Sequence, residues 1–407
     1  MSISRTFLLS LLLVAQGAFA QGDRRIVAIG DVHGGYDEFV SILTHAGLID
    51  AGQRWTGGKT SFVQTGDYTD RGAKVREVLD LLMALEPKVR AGGGEITILL
   101  GNHEVLNIIG DLRYVTPEIC KAFIDGQSEA RREDAWKDFE ALAATRAKAR
   151  ATVPAVYRQT KDEWMAAHPP GWLEYREALS ARGKYGRWLR TKSIAASVDG
   201  TIFMHAGINP DQPATVDEVN TRARAEMTRY EAYLQRLVDR KLALRWFTLP
   251  EVLAVSSSEL EAASAVMEDA KVKNVAPDLS GFDVPLLREA LEITKIGDWV
   301  LLAGEGPLWF RGYANWPDDG ATTAKVAAFL DKAGVKRMVV GHTPTKDSRI
   351  AARFGGRVFV IDTGMLAAVY KGRPSALEIK GLTVSAIYED GVVPLAPAST
   401  PANAVAK

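Results

Sequence analysis

Residues 61–72 read Ser61-Phe62-Val63-Gln64-Thr65-Gly66-Asp67-Tyr68-Thr69-Asp70-Arg71-Gly72, a short apolar run that passes directly into a loop with two aspartates. The first five residues have the length and the β-branched and aromatic content of a buried strand. A glycine then ends the run, and charged side chains follow at once. The segment therefore predicts a strand whose carboxyl end presents carboxylates.

Four further segments have the same form, a strand-like run followed by a polar cluster. They are Arg25–Ile29 before Gly30-Asp31-Val32-His33-Gly34, Ile96–Leu100 before Gly101-Asn102-His103-Glu104, Thr201–Met204 before His205-Ala206-Gly207, and Arg337–Val340 before Gly341-His342-Thr343-Pro344. The stretches between the first three runs have helical periodicity, most clearly from Val75 to Leu85, and are long enough for crossover connections. Open α/β sheets bind ligands at the carboxyl ends of their strands. We therefore expect all five clusters at one edge of the sheet core.

Four of the six histidines, His33, His103, His205 and His342, directly follow a predicted strand. His45 and His168 lie in helical or loop context and are interpreted as structural or surface residues. A single histidine after a strand is most often structural. Four of them among Asp31, Asp67, Asp70 and Asn102 are hard to explain by packing, because buried polar groups are costly without partners.

This set of side chains indicates a divalent metal centre. Asp, Asn and His ligands suit Mn, Fe or Zn, and the absence of Cys ligands argues against a structural zinc site. A bridging carboxylate would hold two ions about 3.5–4 Å apart. Two such ions share one hydroxide, bind the non-bridging oxygens of a phosphate and allow in-line attack on phosphorus.

The composition limits the classes of partner. Lys plus Arg total 50 and Asp plus Glu total 50, so the formal net charge is zero. No global basic field favours nucleic acid or an anionic membrane, and attraction for phosphate must be local. The single cysteine, Cys120, excludes an internal disulfide and is expected to be a small buried apolar residue.

The amino terminus has the pattern of a secretory signal. Arg5 is followed by the apolar stretch 7–15 and then by Ala18-Phe19-Ala20. The apolar run is too short for a membrane-spanning helix, and no later segment is apolar enough to span. We expect residues 1–20 to be removed and the protein to be secreted, in the periplasm.

The remaining chain is predicted to form one catalytic domain, residues 21–393. Two charged, mostly helical segments, about 111–192 and 212–300, interrupt the strand pattern and are interpreted as insertions over the site. Strands return at Val358–Ile361, Ala376–Ile379 and Thr383–Tyr388. Residues 394–407 are rich in Pro and Ala and are expected to be a disordered tail.

The five motifs together resemble those of the calcineurin-like metallophosphoesterases, of the phosphoprotein phosphatase type, and are most similar to the bacterial Shewanella-like phosphatases. The motifs extend from about Ile26 to Asp362, and Gly183–Arg190 and Gly306–Gly312 also resemble that bacterial branch. Leu100 in place of Arg, Ala206 in place of a second Gly, and longer insertions depart from the eukaryotic pattern. The resemblance implies an α/β fold, a β-sandwich of two mixed sheets flanked by helices, with helical insertions over the site.

The resemblance also implies a role for each matching residue. Asp31 and His33 would hold the first metal, Asp67 would bridge both, and Asn102, His205 and His342 would complete the second. His103 would be the general acid, Asp70 would orient it, and Arg71 would bind the phosphate. Manganese is the expected metal, with Fe or Zn as alternatives.

Some of these side chains have a second interpretation. Asp70 and Arg71 would alternatively form a loop salt bridge. Arg311 would either add a second guanidinium to the phosphate or pack on Trp309 or Trp316. Asp362 would support a metal ligand or simply stabilise a turn.

The expected activity is hydrolysis of phosphate monoesters, with phosphorylated protein as substrate, on serine and threonine or on tyrosine. Hydrolysis of nucleotides or other small phosphate esters is the enzymatic alternative, because the fold alone does not decide between them. A non-catalytic scaffold is the third hypothesis. It is disfavoured because all six expected ligands and His103 are present.

Overall fold

The computed structural model describes residues 24–149 and 154–395. The predicted signal segment and residues 396–407 of the predicted tail lie outside these ranges. The strands are β1 Arg25–Ile29, β2 Ser61–Gln64, β3 Glu95–Ile98, β4 Ala195–Val198, β5 Thr201–Met204, β6 Arg337–Val340, β7 Ala351–Arg353, β8 Val358–Val360, β9 Ala376–Lys380, β10 Thr383–Tyr388 and β11 Gly391–Leu395.

The helices connect and cover these strands. They are α1 Tyr36–His45, α2 Val75–Ala91, α3 Asn102–Ile109, α4 Pro117–Lys121, α5 Ser128–Ala149, α6 Lys161–Ala167, α7 Trp172–Leu179, α8 Lys184–Leu189, α9 Val216–Asp239, α10 Leu249–Val272, α11 Val284–Ile293, α12 Gly312–Asn315, α13 Gly320–Lys332 and α14 Ala367–Tyr370, with 3-10 turns at Ala155–Tyr157 and Ile296–Asp298. No helix in the described ranges is long and apolar enough to cross a membrane.

The strands form two mixed sheets, and the predicted fold is confirmed. One sheet has the order β11-β10-β9-β1-β2-β3 and the other has the order β4-β5-β6-β8-β7. The three strands β1, β2 and β3 are parallel, as are β5, β6 and β8. Each remaining strand pairs antiparallel with its inner neighbour, for example β9 with β1, β10 with β9 and β4 with β5.

Strand alternation divides the core into two layers. Ala28 of β1, Val63 of β2, Phe203 of β5 and Val339 of β6 belong to one buried cluster that the two sheets share. The alternate residues, such as Val27 and Ile29, belong to the larger cluster that includes the helices. Because successive side chains of a strand point to opposite faces, each central strand serves both layers. The central strands are thereby fixed from both sides.

Strand β11 was not predicted from the sequence. Pro394 lies in it, opposite Ser385 of β10, so the predicted tail began too early at residue 394. Proline lacks an N–H and is tolerated in a sheet at an edge strand, which β11 is. The Pro and Ala content predicted that residues 394–407 are disordered, whereas residues 394 and 395 belong to the edge strand β11.

The helical segments 111–192 and 212–300 follow the predicted pattern. The first contains α4 to α8, and the second contains α9 to α11. Cys120 is buried on α4, and burial raises the pKa of its thiol to about 12. The thiol is therefore held in its neutral, unreactive form.

Candidate active site

The expected ligands lie at the carboxyl ends of β1, β2, β5 and β6 and at the start of α3. Five residues at this edge have a left-handed backbone conformation, with φ between 48° and 68°. They are His33, Asp67, Asp70, Arg71 and His342. This region costs non-glycine residues roughly 1–2 kcal/mol each. Such outliers concentrate at functional sites, where the surrounding structure holds them in place.

Asp67 lies at the centre of the cluster. Its Oδ2 is 3.2 Å from His205 Nε2, 3.6 Å from His33 Nε2 and 3.7 Å from His103 Nε2. Its other oxygen accepts the His103 backbone N–H at 3.0 Å. One carboxylate oxygen thus faces three imidazole nitrogens, two from loops after β1 and β5 and one from the start of α3.

A second set of ligand atoms converges beside Asp67. Asn102 Oδ1 lies 2.7 Å from His205 Nε2 and 3.1 Å from His342 Nδ1, and the two nitrogens are 3.0 Å apart. Two imidazole nitrogens at this distance around one amide oxygen are the arrangement expected of ligands to a shared cation.

Two of these imidazoles are oriented by backbone carbonyls. His33 Nδ1 lies 3.1 Å from Thr69 O, and His205 Nδ1 lies 3.3 Å from Thr65 O. A carbonyl only accepts, so Nδ1 is the donor and Nε2 is left with a free lone pair facing Asp67. Burial lowers the pKa of His33 to about 3 and the pKa of His342 well below its usual value, which keeps both neutral, as metal ligation requires.

Asp31 closes the other side of the site, with Oδ2 3.9 Å from His33 Nε2 and Oδ1 accepting the His342 backbone N–H at 3.0 Å. Burial raises the pKa of Asp31, and the nearby carboxylates of Asp362 and Asp67 raise it further. Burial also raises the pKa of Asp362 to about 6. A divalent cation among these carboxylates would remove that repulsion. Asp362 thus lies close to the expected ligand Asp31, and its Oδ1 also accepts the Gly364 N–H at 2.9 Å, so contacts of both interpreted kinds are present.

The donor set fits two divalent ions. Asp67 belongs to two groups of three buried potential ligands, one with His33 and His103 and the other with His205 and His342, each within 4.8 Å. Oxygen and imidazole donors without sulfur suit Mn, Fe or Zn. The residues that would hold the ions are thus brought together.

His103 differs from the other histidines of the site. Its Nδ1 is 2.7 Å from Asp70 Oδ2, while Asn107 Nδ2 donates to Asp70 Oδ1 at 2.8 Å. Burial alone would lower the pKa of His103, but the carboxylates of Asp67 and Asp70 outweigh it and raise the pKa. The pKa of His103 is thus raised while the pKa values of His33 and His342 are lowered, and opposite shifts within one site are the usual sign of divided roles.

Glu104 is a functional residue that the sequence analysis left without a role. Its carboxylate accepts the backbone N–H groups of Gly101, Asp67, Tyr68 and Thr69 and the Thr69 hydroxyl, at 2.7–3.0 Å. It therefore binds the loop after β2 to the first turn of α3. The loop and the helix are in close contact at two glycines. A Cβ atom added to Gly66 would lie 2.3 Å from Gly101 N, and a Cβ atom added to Gly101 would lie 2.1 Å from Asp67 Oδ1.

Arg71 lies between two tyrosines that the sequence did not single out. Its guanidinium carbon is 4.6 Å from the centre of the Tyr114 ring and 5.5 Å from that of Tyr370. Tyr114 also packs on His103, with ring centres 4.6 Å apart. Arg71 Nε has no hydrogen-bond partner in the described part of the chain, and Arg71 forms no ion pair with Asp70 there. The salt-bridge interpretation of this pair is therefore wrong.

Arg311 is an exposed residue beside His342. Its Nη1 donates to His342 O at 3.3 Å and to Thr343 Oγ1 at 3.0 Å. Within residues 24–149 and 154–395 it does not stack on Trp309 or Trp316, so the packing alternative is not observed. The two remaining histidines fit the surface and the structural interpretation, respectively: His45 is exposed on α1, and His168 is buried against Trp164.

Comparison with known proteins agrees with this geometry. Residues 24–279 match the calcineurin-like phosphoesterase family. A Shewanella-like protein phosphatase 1 of Plasmodium berghei is 33% identical over 352 residues, covering 86% of this chain and 69% of the relative. An uncharacterized protein of Schizosaccharomyces pombe is 26% identical over 380 residues, covering 91% and 82%.

Among solved structures, the cold-active protein-tyrosine phosphatase of a psychrophilic Shewanella species aligns with a TM-score of 0.57 at 22% identity, covering 92% of this chain and 81% of that one. At this identity the likeness concerns the fold. The assignment to a family rests instead on the family match and on the Plasmodium relative. The chain is a metal-dependent phosphatase of the calcineurin-like phosphoesterase family, within the Shewanella-like protein phosphatases.

Proposed function

We propose that this protein removes phosphate from phosphorylated side chains of proteins, with His103 as the general acid and Arg71 as the phosphate anchor. The observation that carries the proposal is Asp67, whose Oδ2 faces His33, His103 and His205 within 3.7 Å. That position suits a ligand shared by two ions, with a proton donor beside it. The Plasmodium relative is named a protein phosphatase, which supports protein substrates.

The metals would be held by Asp31 and His33, by Asp67 in common, and by Asn102, His205 and His342. When bound, divalent ions lower the pKa of a water molecule and neutralise charge on phosphoryl oxygens. Manganese suits the mixed oxygen and nitrogen ligands and is the metal we propose.

The chain's own residues supply binding and proton transfer. Arg71, held between Tyr114 and Tyr370, offers a guanidinium whose Nε lacks a partner in the described residues. Arginine binds phosphate oxygens through two parallel hydrogen bonds. Asp70 holds the Nδ1–H of His103, so the second imidazole proton resides on Nε2. Nε2 can deliver that proton to the departing oxygen.

We further propose that the enzyme works in the periplasm, on the basis of Arg5, the apolar stretch after it and Ala18-Phe19-Ala20. Export places it among secreted and envelope proteins rather than cytosolic phosphoproteins. The zero formal net charge gives no support for nucleic acid as a partner.

The decisive experiment compares kcat/KM for phosphoserine, phosphothreonine and phosphotyrosine peptides with that for nucleotides, using manganese-reconstituted enzyme. We expect at least one peptide class to exceed every nucleotide by about tenfold, a difference within reach of ordinary binding contacts. Faster hydrolysis of nucleotides than of all three peptides would contradict the proposal. The Asp67→Asn variant, which should lose its metals and its activity, measures background hydrolysis by other phosphatases in the preparation.

A further inference from the structure

A cavity of about 490 Å³ lies among the helices of the two insertions. Its walls come from α5, α7 and α9, with Ile108 of α3 on one side. Leu173, Leu234, Val238 and Trp246 give it an apolar lining. None of the proposed metal ligands or phosphate-binding residues contributes to its wall. The cavity is therefore separate from the metal centre.

Arg176 is the unusual residue of this cavity. It is 8% exposed, and its Nη1 donates to Asn107 O at 3.1 Å. Its Nε has no partner, and it forms no ion pair with a carboxylate anywhere in residues 24–149 or 154–395. A guanidinium carries five N–H donors and stays charged in proteins. A buried charge without a directly bonded carboxylate is costly, so an anion at this position would be favoured.

Two other wall residues have unused donors. The Tyr230 hydroxyl and the Trp246 indole N–H are buried and lack hydrogen-bond partners in the described structure. Buried polar groups almost always have partners. Three such groups around one cavity point to a ligand that carries acceptor atoms.

The other charges at the cavity do not satisfy Arg176. Arg190 pairs with Glu231, and Arg131 pairs with Asp125 and Glu174. The remaining acids of the wall, Asp134, Asp138 and Glu177, are exposed. The exposed Arg182 and Arg245 lie among the same wall residues. The partly buried carboxylate of Glu251 attracts Arg176 but forms no ion pair with it in the described residues, so the guanidinium keeps an unused donor beside apolar side chains.

We propose that this cavity binds a small organic carboxylate with an apolar body, whose carboxylate pairs with Arg176 and accepts from Tyr230 and Trp246. The planar guanidinium matches a carboxylate in two parallel hydrogen bonds. The apolar body would lie against Leu173, Leu234 and Val238. The inference does not depend on the substrate or the metals of the catalytic site.

Arg176 also has a structural role that the test must separate from binding. Its bond to Asn107 O satisfies a carbonyl near the end of α3, where a cation is favourable. Arg176→Met is therefore expected to lower thermal stability as well as anion affinity. Tyr230→Phe removes only a hydroxyl that has no partner, so it keeps the test valid if Arg176→Met does not fold.

The experiment titrates metal-loaded, full-length protein with hexanoate and with the uncharged hexanamide, followed by NMR or calorimetry. We expect saturable hexanoate binding in the millimolar range and weaker hexanamide binding. Arg176→Met should weaken hexanoate about tenfold or more, as loss of a charge-assisted hydrogen bond does, and Tyr230→Phe should weaken it about fivefold. Arg176→Lys should fall between Arg176→Met and the unmodified protein, because it retains charge without the planar fork.

Arg71→Ala distinguishes this cavity from the catalytic site, where any anion would meet Arg71. We expect that variant to leave hexanoate affinity unchanged. Three results would each overturn the proposal. They are equal binding of hexanoate and hexanamide, no hexanoate binding in the millimolar range, and a loss of binding in Arg71→Ala without any loss in Tyr230→Phe.

Discussion

The histidines of the site differ in the hydrogen-bond partner of Nδ1. His33 donates from Nδ1 to a backbone carbonyl, whereas His103 donates from Nδ1 to a carboxylate. A neutral carbonyl adds little charge, and burial keeps His33 neutral with a pKa of about 3. The Asp70 partner instead favours the imidazolium of His103. The different partner of Nδ1 agrees with the roles that we propose, a metal ligand for His33 and a proton donor for His103.

The proton-donor role predicts a dependence on the leaving group. His103→Asn should reduce hydrolysis of phosphoserine peptides by roughly 10²–10⁴-fold, the usual worth of general-acid catalysis, and should affect p-nitrophenyl phosphate much less. The reason is that an alkoxide needs the proton, while p-nitrophenolate leaves without it. Asp70→Asn should give the same pattern more mildly, and Arg71→Ala should slow both substrates alike.

The measurement is kcat/KM on both substrates with metal content checked. His45→Asn is the matched control, because His45 is exposed on α1 and should leave both rates unchanged. Equal losses for His103→Asn on the two substrates, at full metal occupancy, would remove His103 from this role.

Asp67 predicts the response of the metals. Asp67→Asn keeps the size of the side chain but removes the charge that faces three imidazoles, so both ions should be lost together and activity should disappear. Elemental analysis after dialysis measures the occupancy. Asp347→Asn, an exposed control, should retain both ions. Two tightly bound ions in Asp67→Asn would rule out the bridging role. Chelation of the unmodified enzyme should abolish activity, and manganese should restore it.

Among the elements, the junction between the loop after β2 and helix α3 depends on one carboxylate. Glu104 accepts five hydrogen bonds from two segments, and it is fully buried. Glu104→Gln replaces one carboxylate oxygen by an NH₂ group. A hydrogen-bond donor would then face the N–H and O–H donors that the carboxylate now accepts. We expect the free energy of unfolding to fall by about 1–3 kcal/mol, the cost of buried groups left without partners.

Chemical denaturation measures this change. Glu118→Gln makes the same chemical change on the exposed face of α4 and should be nearly neutral. Metal affinity should also fall in Glu104→Gln, because Asp67 and Asn102 lie on the two segments that Glu104 connects. Unchanged stability and unchanged metal affinity would show that the junction does not depend on this carboxylate.

The first insertion reaches the catalytic edge through Tyr114, which contacts both Arg71 and His103. Tyr114→Ala should release Arg71 and therefore raise KM. It should also alter the ratio of rates on phosphotyrosine and phosphoserine peptides, because a ring beside the proposed phosphate-binding residue is lost. Tyr114→Phe keeps the ring and should preserve the ratio. A ratio that is unchanged in Tyr114→Ala would show that this insertion does not select substrates.

The sequence predicted those features that local pattern determines. Each proposed metal ligand follows its strand within a few residues, so strand periodicity and residue type were enough to locate Asp31 or His342. Glu104, Asn107 and Tyr370 were missed because their roles come from contacts with another element. Arg311 had two interpretations: packing on a tryptophan is not observed in the described residues, while phosphate binding stays a prediction for a side chain that bonds His342 and Thr343. Side-chain direction of this kind requires the tertiary structure.

At the level of the whole molecule, the amino-terminal pattern predicts processing. The mature protein should begin at Gln21, because Ala18-Phe19-Ala20 supplies the small residues that signal peptidase recognises. Intact-mass analysis of protein recovered from the periplasmic fraction measures the start. Replacement of Ala20 by a bulky residue should block cleavage. Exported protein that retains residues 1–20 would contradict the prediction.

The bond from the His342 N–H to Asp31 Oδ1 joins residues 311 positions apart. Contacts of such high sequence separation form late in folding, because the long loop between them must close first. A growing chain therefore exposes Asp31 and Asp67 long before their partners exist. A chain cut before residue 342 would lack a proposed ligand of the second ion and also strands β9, β10 and β11 of the first sheet, so loss of the last sixth of the protein should abolish catalysis. We therefore expect catalysis only after synthesis has passed residue 342 and the strands that follow it.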